Sequence, residues 1–350
     1  MSAPPASHES KGMPVLVQED KVTEAFGALK APKLVSQIKQ EENQKLRLNA
    51  LRVLCEELRN PFSAGETVRA GVCPILTELA TKPEDADTRE AASKALCALA
   101  VDSNGRASMT ENKSAFAVLT ALSDESPAVR SNIYDALLNY SAVRDGVNQL
   151  VEAGYAPVLV EKAGRETADV RHMPLNLLYN ACKNESGLKA ALESNAVEVC
   201  IENLGHKDSL VKHHAAATLG FLCFADSAKV TAIQNQAVEK LSELLGDHFW
   251  KVRASAASAL MSIMQTDAGK KSFVSAEGVG KLVKLLKDKE DLVKINALKT
   301  IACAAVHPTA RKEMKESGDC LPVIHQIVDG GDPFMSKHAS LAKDAVLWEP

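Results

Sequence analysis

The sequence predicts an all-α chain built as a right-handed α-solenoid of about eight three-helix repeats, and three observations carry that expectation. One motif recurs along most of the 350 residues, its inward positions are largely alanine, and aromatic residues make up only 4% of the chain. Aromatic side chains supply much of the buried area of a thick core, so their scarcity fits a thin, stacked core. Length alone would suggest two globular domains; self-similarity overrides that count.

The motif appears first as LRLNALRVLCEEL at Leu46. It returns as TREAASKALCALA at Thr88, VRSNIYDALLNYS at Val129, VRHMPLNLLYNAC at Val170, VKHHAAATLGFLC at Val211, VRASAASALMSIM at Val252 and VKINALKTIACAA at Val293. A degenerate eighth copy, MSKHASLAKDAVL, starts at Met335. The basic anchors Arg47, Arg89, Arg130, Arg171, Lys212, Arg253 and Lys294 lie 42, 41, 41, 41, 41 and 41 residues apart. Counted from each anchor, the third, sixth, seventh and tenth following residues share one helical face and should point inward. These are Ile133, Ala136, Leu137 and Tyr140 in the third copy, and Ala256, Ala259, Leu260 and Ile263 in the sixth. Inward alanines allow helix axes to approach at the short end of about 8–10 Å, which gives a curved rod about 70–80 Å long. One fully buried leucine is worth about 1.5–3 kcal/mol, and each unit needs its neighbour to bury it.

A second apolar helix precedes each copy, as in CPILTELA, APVLVEKAG and VEKLSELLG, and a short helix precedes that. Gly71, Gly154, Gly278 and Gly318 stand where the first helix must turn sharply into the second, and glycine accepts positive φ at little steric cost. Pro127 and Pro174 each fall in a first helical turn, where proline is tolerated, and Pro174 implies a late start for its helix. Residues 1–20, polar and without period, read as a flexible N-terminal arm, with the solenoid running over residues 21–350. Trp348 is expected to cap the final apolar edge.

Three helices in about 41 residues is the armadillo pattern, with two-helix HEAT repeats as the nearer rival. In such a solenoid the third helices line the concave face. The fifth and ninth residues after each anchor should face that groove: Arg52 and Glu56, Lys94 and Ala98, Asp135 and Asn139, Asn176 and Asn180. The series continues with Ala217 and Phe221, Ser258 and Ser262, then Lys299 and Cys303. The predicted partner-binding set is therefore Arg52, Lys94, Asp135, Asn139, Asn176, Asn180, Phe221, Ser258 and Lys299. Asn139 and Asn180 occupy equivalent places in consecutive repeats, where amides can bind the backbone of an extended peptide; they could equally cap local backbone or face water. Armadillo importins pair such an asparagine with a tryptophan one turn earlier. Asp135 and Asn176 stand at those places here, and no tryptophan is expected in the third helices of repeats one to seven. Binding of a basic nuclear-localisation signal is therefore not expected.

Other chemistry is sparse. A net charge of −4 gives no electrostatic case for nucleic acid or an acidic lipid surface, and no apolar run is long enough to span a bilayer. The eight cysteines form no CxxC pair, and the N-terminus lacks the apolar stretch of a secretion signal; small buried thiols in a reducing, intracellular compartment are expected. HExxH, GxSxG and GxxxxGK[ST] are absent, and GVGK at Gly278 lacks the flanking features of a phosphate loop. His213 and His214 are adjacent, hence about 100° apart on a helix, and His172 and His213 share one repeat position; neither pair reads as a metal site. Glu56 with Glu57, and Asp288 with Glu290, read as solvated faces. The sequence predicts no enzyme, catalytic residue, metal, cofactor or small-molecule substrate.

The stretch AFGALKAPKLVSQIKQEENQKLRLNALRVLCEELRNP from Ala25 resembles the start of the radial spoke head component 14 homologue family. VRASAASALMSIMQTDAGKKSFVSAEGVGKLVKLL and the ending AVLWEP are similar to that family's later repeats and its Trp-x-Pro tail. The likeness extends over about residues 25–350. It implies a non-catalytic structural component of the radial spokes of motile cilia and flagella, which join outer doublet microtubules to the central apparatus and help regulate dynein. Other spoke proteins would then be its partners and the axoneme, within cytoplasm and cytoskeleton, its location. The other reading of the residues is a soluble adaptor that holds an extended peptide in the groove.

Overall fold

A computed structural model describes residues 21–23, 25–40, 42–81, 85–167, 169–330 and 332–349. The arm expected at residues 1–20 lies outside the described residues. Among those described there are 23 α-helices, three short 3-10 segments and no strand. The helices fall into seven complete triplets preceded by a two-helix lead-in, so the first of the eight expected repeats lacks a separate first α-helix. The lead-in and each of the seven triplets end in a long helix. These long helices are α1 (Gln44–Glu57), α2 (Ala86–Val101), α3 (Pro127–Tyr140), α4 (His172–Ala181), α5 (Ser209–Leu222), α6 (Trp250–Ile263), α7 (Asp291–Ala304) and α8 (Pro333–Leu347). Each packs on the next, making one continuous layer along the chain.

Local chemistry sets the helix starts. Asn43, Asp85, Asp208 and Asp332 accept hydrogen bonds from backbone N–H groups at the N-termini of α1, α2, α5 and α8, satisfying donors a helix leaves open. Pro127 and Pro333 occupy the first turns of α3 and α8. As Pro174 implied, α4 starts late and has 10 residues where α3 and α5 have 14. The degenerate eighth copy nevertheless forms a full 15-residue helix with Ala339, Ala342 and Val346 buried.

The turn between first and second helices is left-handed at Gly71, Lys113, Gly154, Asn195, Gln236, Glu277 and Gly318. Glycine therefore serves three of the four places expected of it. At the fourth the turn residue is Glu277, with φ 53°, and Gly278 opens the second helix instead. Gly278 is needed for closeness: a Cβ there would lie 2.1 Å from Cε2 of the buried Phe273 ring. A related close approach recurs at Gly105, Gly146, Gly187 and Gly269, where a Cβ would sit 1.9–2.4 Å from the carbonyl oxygen of Leu99, Tyr140, Ala181 or Ile263. In these four repeats the first helix abuts the C-terminal end of the preceding long helix too tightly for a side chain, while the equivalent places elsewhere hold the small, buried Ala64, Ala228 and Ala310.

The core is the thin one expected. Ile133, Ala136, Leu137, Tyr140, Ala256, Ala259, Leu260 and Ile263 are all fully buried. A Cβ on Gly220 of α5 would meet Cα of Ala259 on α6 at 3.3 Å, which measures how close small residues bring these helices. Hydrogen bonds add register: Thr218 Oγ1 donates to Leu175 O, Asn296 Nδ2 to Ala254 O and Thr300 Oγ1 to Ala257 O, each at 2.9 Å.

The basic anchors have a use that composition did not reveal. Arg89 pairs with Asp124, Arg130 with Glu166, Lys212 with Asp247 and Arg253 with Asp288, each joining one long helix to the loop before the next. Arg171 makes the equivalent bond to Asn203 Oδ1 at 2.8 Å. The same guanidinium closes its own loop: Arg130 Nη1 donates to Asp124 O and Glu125 O, and Arg253 Nη1 to Asp247 O and His248 O. Asp288 is accordingly not part of a solvated face; its side chain is 7% exposed and bound to Arg253. Burial works to raise the Asp247 carboxyl, but Lys212, the Phe249 N–H and His248 outweigh it and hold that group below its ordinary value.

Cys73, Cys182, Cys200, Cys223 and Cys320 are buried free thiols, whereas Cys55, Cys97 and Cys303 are only half-buried. Burial pushes Cys182 and Cys223 up to about 12, so neither is a ready nucleophile. No helix among the described residues is long and apolar enough to cross a membrane. Trp348 does not cap the final edge as expected. It stays 55% exposed, with the Arg311 guanidinium 4.7 Å from its ring centre, because the preceding helix ends at Leu347 and the chain turns extended there.

Candidate partner-binding groove

The nine residues of the predicted partner-binding set all reach solvent, whereas Ser262, also expected to face the groove, is buried at 3% exposure. Arg52 and Lys94 are exposed, and Asp135, Asn139, Asn176, Asn180, Phe221, Ser258 and Lys299 are half-buried. They do not form one site. The structure separates them into a charged N-terminal part, an amide-bearing middle and an aromatic C-terminal part.

At the N-terminal end, Arg52 and Lys94 line a hollow between α1 and α2 with Glu56, Arg59, Asp87 and Glu90. Arg59 is paired to Glu56 at 2.7 Å, and both are so exposed that the pair adds little stability. In the middle, burial pushes the Asp135 carboxyl up, with His172 partly offsetting it. Asn180 Oδ1 accepts from Lys183 Nζ at 2.9 Å, and no hydrogen bond joins Asn139 to Asn180 among the described residues. His172 stacks on His214 rather than on His213, with ring centres 6.0 Å apart. Burial, with help from His213, His172 and Lys251, pushes His214 down to about 3 and keeps it neutral. His213 Nδ1 lies 3.1 Å from Lys251 O. No group of three metal-ligating side chains is arranged to hold an ion among the described residues.

The C-terminal part departs most from expectation. Helix α6 begins at Trp250, two residues before the motif, so a long helix of this segment does carry a tryptophan. Phe249 stands at the N-cap of that helix in an extended conformation, and the helix starts at the same repeat position as α5 at Ser209 and α7 at Asp291. Tyr179 and Phe221 meet edge-to-face at 5.0 Å, and Phe221 and Phe224 at 5.3 Å. With Trp250, Met261 and Leu292 these rings surround an open trough of about 380 Å³ whose floor is Ala217, Gly220, Ala254, Ser258 and Ser262. The groove has aromatic walls here; single-repeat counting placed Phe221 in the groove but missed Tyr179 on α4, Phe224 in the turn after α5 and Trp250 on α6, which meet it only after stacking. The available signal was Tyr179, Phe221, Phe224 and Trp250 lying within two periods of one another.

Comparison with proteins of known structure bears on the architecture. An engineered protein solved by crystallography superposes with a TM-score of 0.82 at 24% identity, over 91% of this chain and 79% of its own. A designed armadillo repeat protein superposes with a TM-score of 0.57 at 19% identity, over 78% of this chain and 99% of its own. The chain is an armadillo-type α-solenoid. At sequence level, the armadillo solenoid is similar to radial spoke protein 14 of Chlamydomonas reinhardtii, with 30% identity over 145 residues. That match covers 41% of this chain and 37% of the relative's length. No protein-family profile matches the chain.

Proposed function

We propose that this armadillo solenoid is a non-catalytic scaffold of the axonemal radial spoke in motile cilia and flagella. It would bind other spoke proteins through the solenoid surface and so support regulation of dynein-driven motility. The observation that carries this reading is the 145-residue similarity to radial spoke protein 14 at 30% identity. A solenoid presents a long surface with few long-range constraints, which suits a part gripped by several neighbours at once. The groove set Arg52, Lys94, Asp135, Asn139, Asn176, Asn180, Phe221, Ser258 and Lys299 is the proposed contact face. Fractionation of motile cells tests the proposal. The protein should sediment with demembranated axonemes and leave them only in high salt or chaotrope; recovery wholly in the detergent-soluble fraction would refute it.

A soluble peptide-carrying adaptor using Asn139 and Asn180 in the groove is the second reading, favoured by Asn139, whose side chain reaches solvent without a hydrogen-bond partner among the described residues. Replacing Asn139 and Asn180 by alanine should then weaken a bound linear peptide several-fold, since each lost bond is worth about 0.5–1.5 kcal/mol.

A further inference from the structure

The trough across α4–α7 differs from the rest of the groove in shape, polarity and charge. Its floor is hollow for a sequence reason: Ala217 and Ser258 stand where the other repeats carry Arg52, Lys94, Asp135, Asn176 or Lys299, and Ser262 is small where three other repeats carry Glu56, Asn139 or Asn180. Its rim holds large apolar side chains left in solvent, Phe224 at 55% and Leu292 at 51% exposure. Neighbouring large hydrophobic residues that stay wet around a depression, rather than scattered singly, mark an interaction surface.

Charge decides what fits. No carboxylate lines the trough. The Lys251 ammonium lies 5.7 Å from the Trp250 ring centre and 6.0 Å from that of Phe249. Outside the trough, beyond the Tyr179 wall, the Lys183 ammonium lies 4.4 Å above that ring and donates to Asn180 Oδ1. Each cation is thus held against an aromatic face, and Lys251 has no ion-pair partner among the described residues. An apolar hollow with the Lys251 ammonium on its rim and that of Lys183 just beyond the Tyr179 wall matches a bulky apolar side chain with carboxylates on either side, and opposes a basic segment.

We propose that this trough docks an acidic linear segment of a partner protein, with one large apolar side chain seated over Ser258 and the flanking carboxylates on Lys251 and Lys183. The inference rests on reading the groove as a partner surface, and does not depend on the axonemal location.

Fluorescence anisotropy with the full chain tests it, using three labelled nonapeptides. One has a central phenylalanine flanked by glutamates, the second replaces the glutamates by lysines, and the third replaces the phenylalanine by serine. The first should bind about tenfold or more tighter than the other two, with affinity falling as salt rises. Lys251→Glu and Ser258→Phe should each weaken it about tenfold by reversing the rim charge and filling the floor. Phe224→Ser, at an exposed site that leaves the core intact, should weaken it too, and Lys189→Glu, elsewhere on the surface, should not. Circular dichroism melting identifies any variant that fails to fold. Equal binding of the lysine peptide, no binding of the first, or unchanged affinity in folded trough variants overturns the proposal. An axonemal protein that rejects the peptide would sink this inference alone, and a cytosolic one that binds it would sink only the spoke assignment.

Discussion

Removing the Glu166 carboxylate should cost this protein more than removing any surface charge. Glu166 accepts two hydrogen bonds from Arg130 Nε, at 2.9 and 3.1 Å, and one from Nη2 at 2.9 Å. The Tyr134 hydroxyl donates to it at 3.1 Å. The Arg130 and Glu166 side chains are only 9% and 2% exposed, so water cannot replace the lost partner. Stranding one member of such a pair costs about 3–5 kcal/mol. Arg130 Nη1 keeps its bonds to Asp124 O and Glu125 O, at 2.7 and 3.0 Å, which places Glu166→Ala near the lower end, about 3 kcal/mol. Urea unfolding gives the total loss. Hydrogen exchange should locate it at the boundary between α3 and α4, because each repeat leans only on its neighbours. Replacing the whole cluster, Arg130→Met with Tyr134→Phe and Glu166→Leu, should recover part of that loss, since no buried charge is then left unpaired, although the carbonyls of Asp124 and Glu125 lose Arg130. A loss below about 1 kcal/mol for Glu166→Ala would equal that of an exposed pair and would refute the reasoning.

Gly278→Ala should destabilise by about 1–3 kcal/mol, because its methyl must displace the buried Phe273 ring; thermal melting measures this. Glu277→Gly should stabilise by about 0.5–1 kcal/mol by relieving the left-handed backbone at φ 53°, read in the same melts. His214 is held neutral with its pKa pushed down to about 3, so the unfolded chain takes up a proton that the folded chain refuses. Its contribution is therefore complete above about pH 6.5 and declines as pH falls toward 3, by up to about 1.4 kcal/mol per unit; urea unfolding across that window should show a slope that His214→Leu reduces. Ala259→Leu should cost about 1–3 kcal/mol by forcing α5 and α6 apart, since the backbone of Gly220 approaches closely there.

The period was legible because every repeat must bury the same face against its neighbour. Counting from the basic anchors placed Ala256, Ala259, Leu260 and Ile263 in the core and the nine groove residues at the solvent-reaching face. What escaped were relations between repeats. Asp124, Asp247 and Asp288 each lie 35 residues beyond the anchor they bind, a regularity open to anyone looking for pairs at that distance. The strained turn at Glu277 carried no local signal, since glutamate does not favour that conformation and packing imposes it. Trp250 was lost because the motif frame began at Val252, whereas the helix, like α5 at Ser209 and α7 at Asp291, begins two residues earlier.

The bridges from Arg89, Arg130, Lys212 and Arg253 run along one margin of the rod, beside the loops that precede the long helices. A seam of short ionic links on one side, with greasy contact elsewhere, makes bending stiffness depend on direction. Flexing that pulls the loops apart must stretch one link at each joint, whereas flexing about the seam need only slide alanine faces past one another. A beam built in this way yields preferentially about its stitched edge, so a mechanical load would change the opening of the groove before it changed the length of the rod.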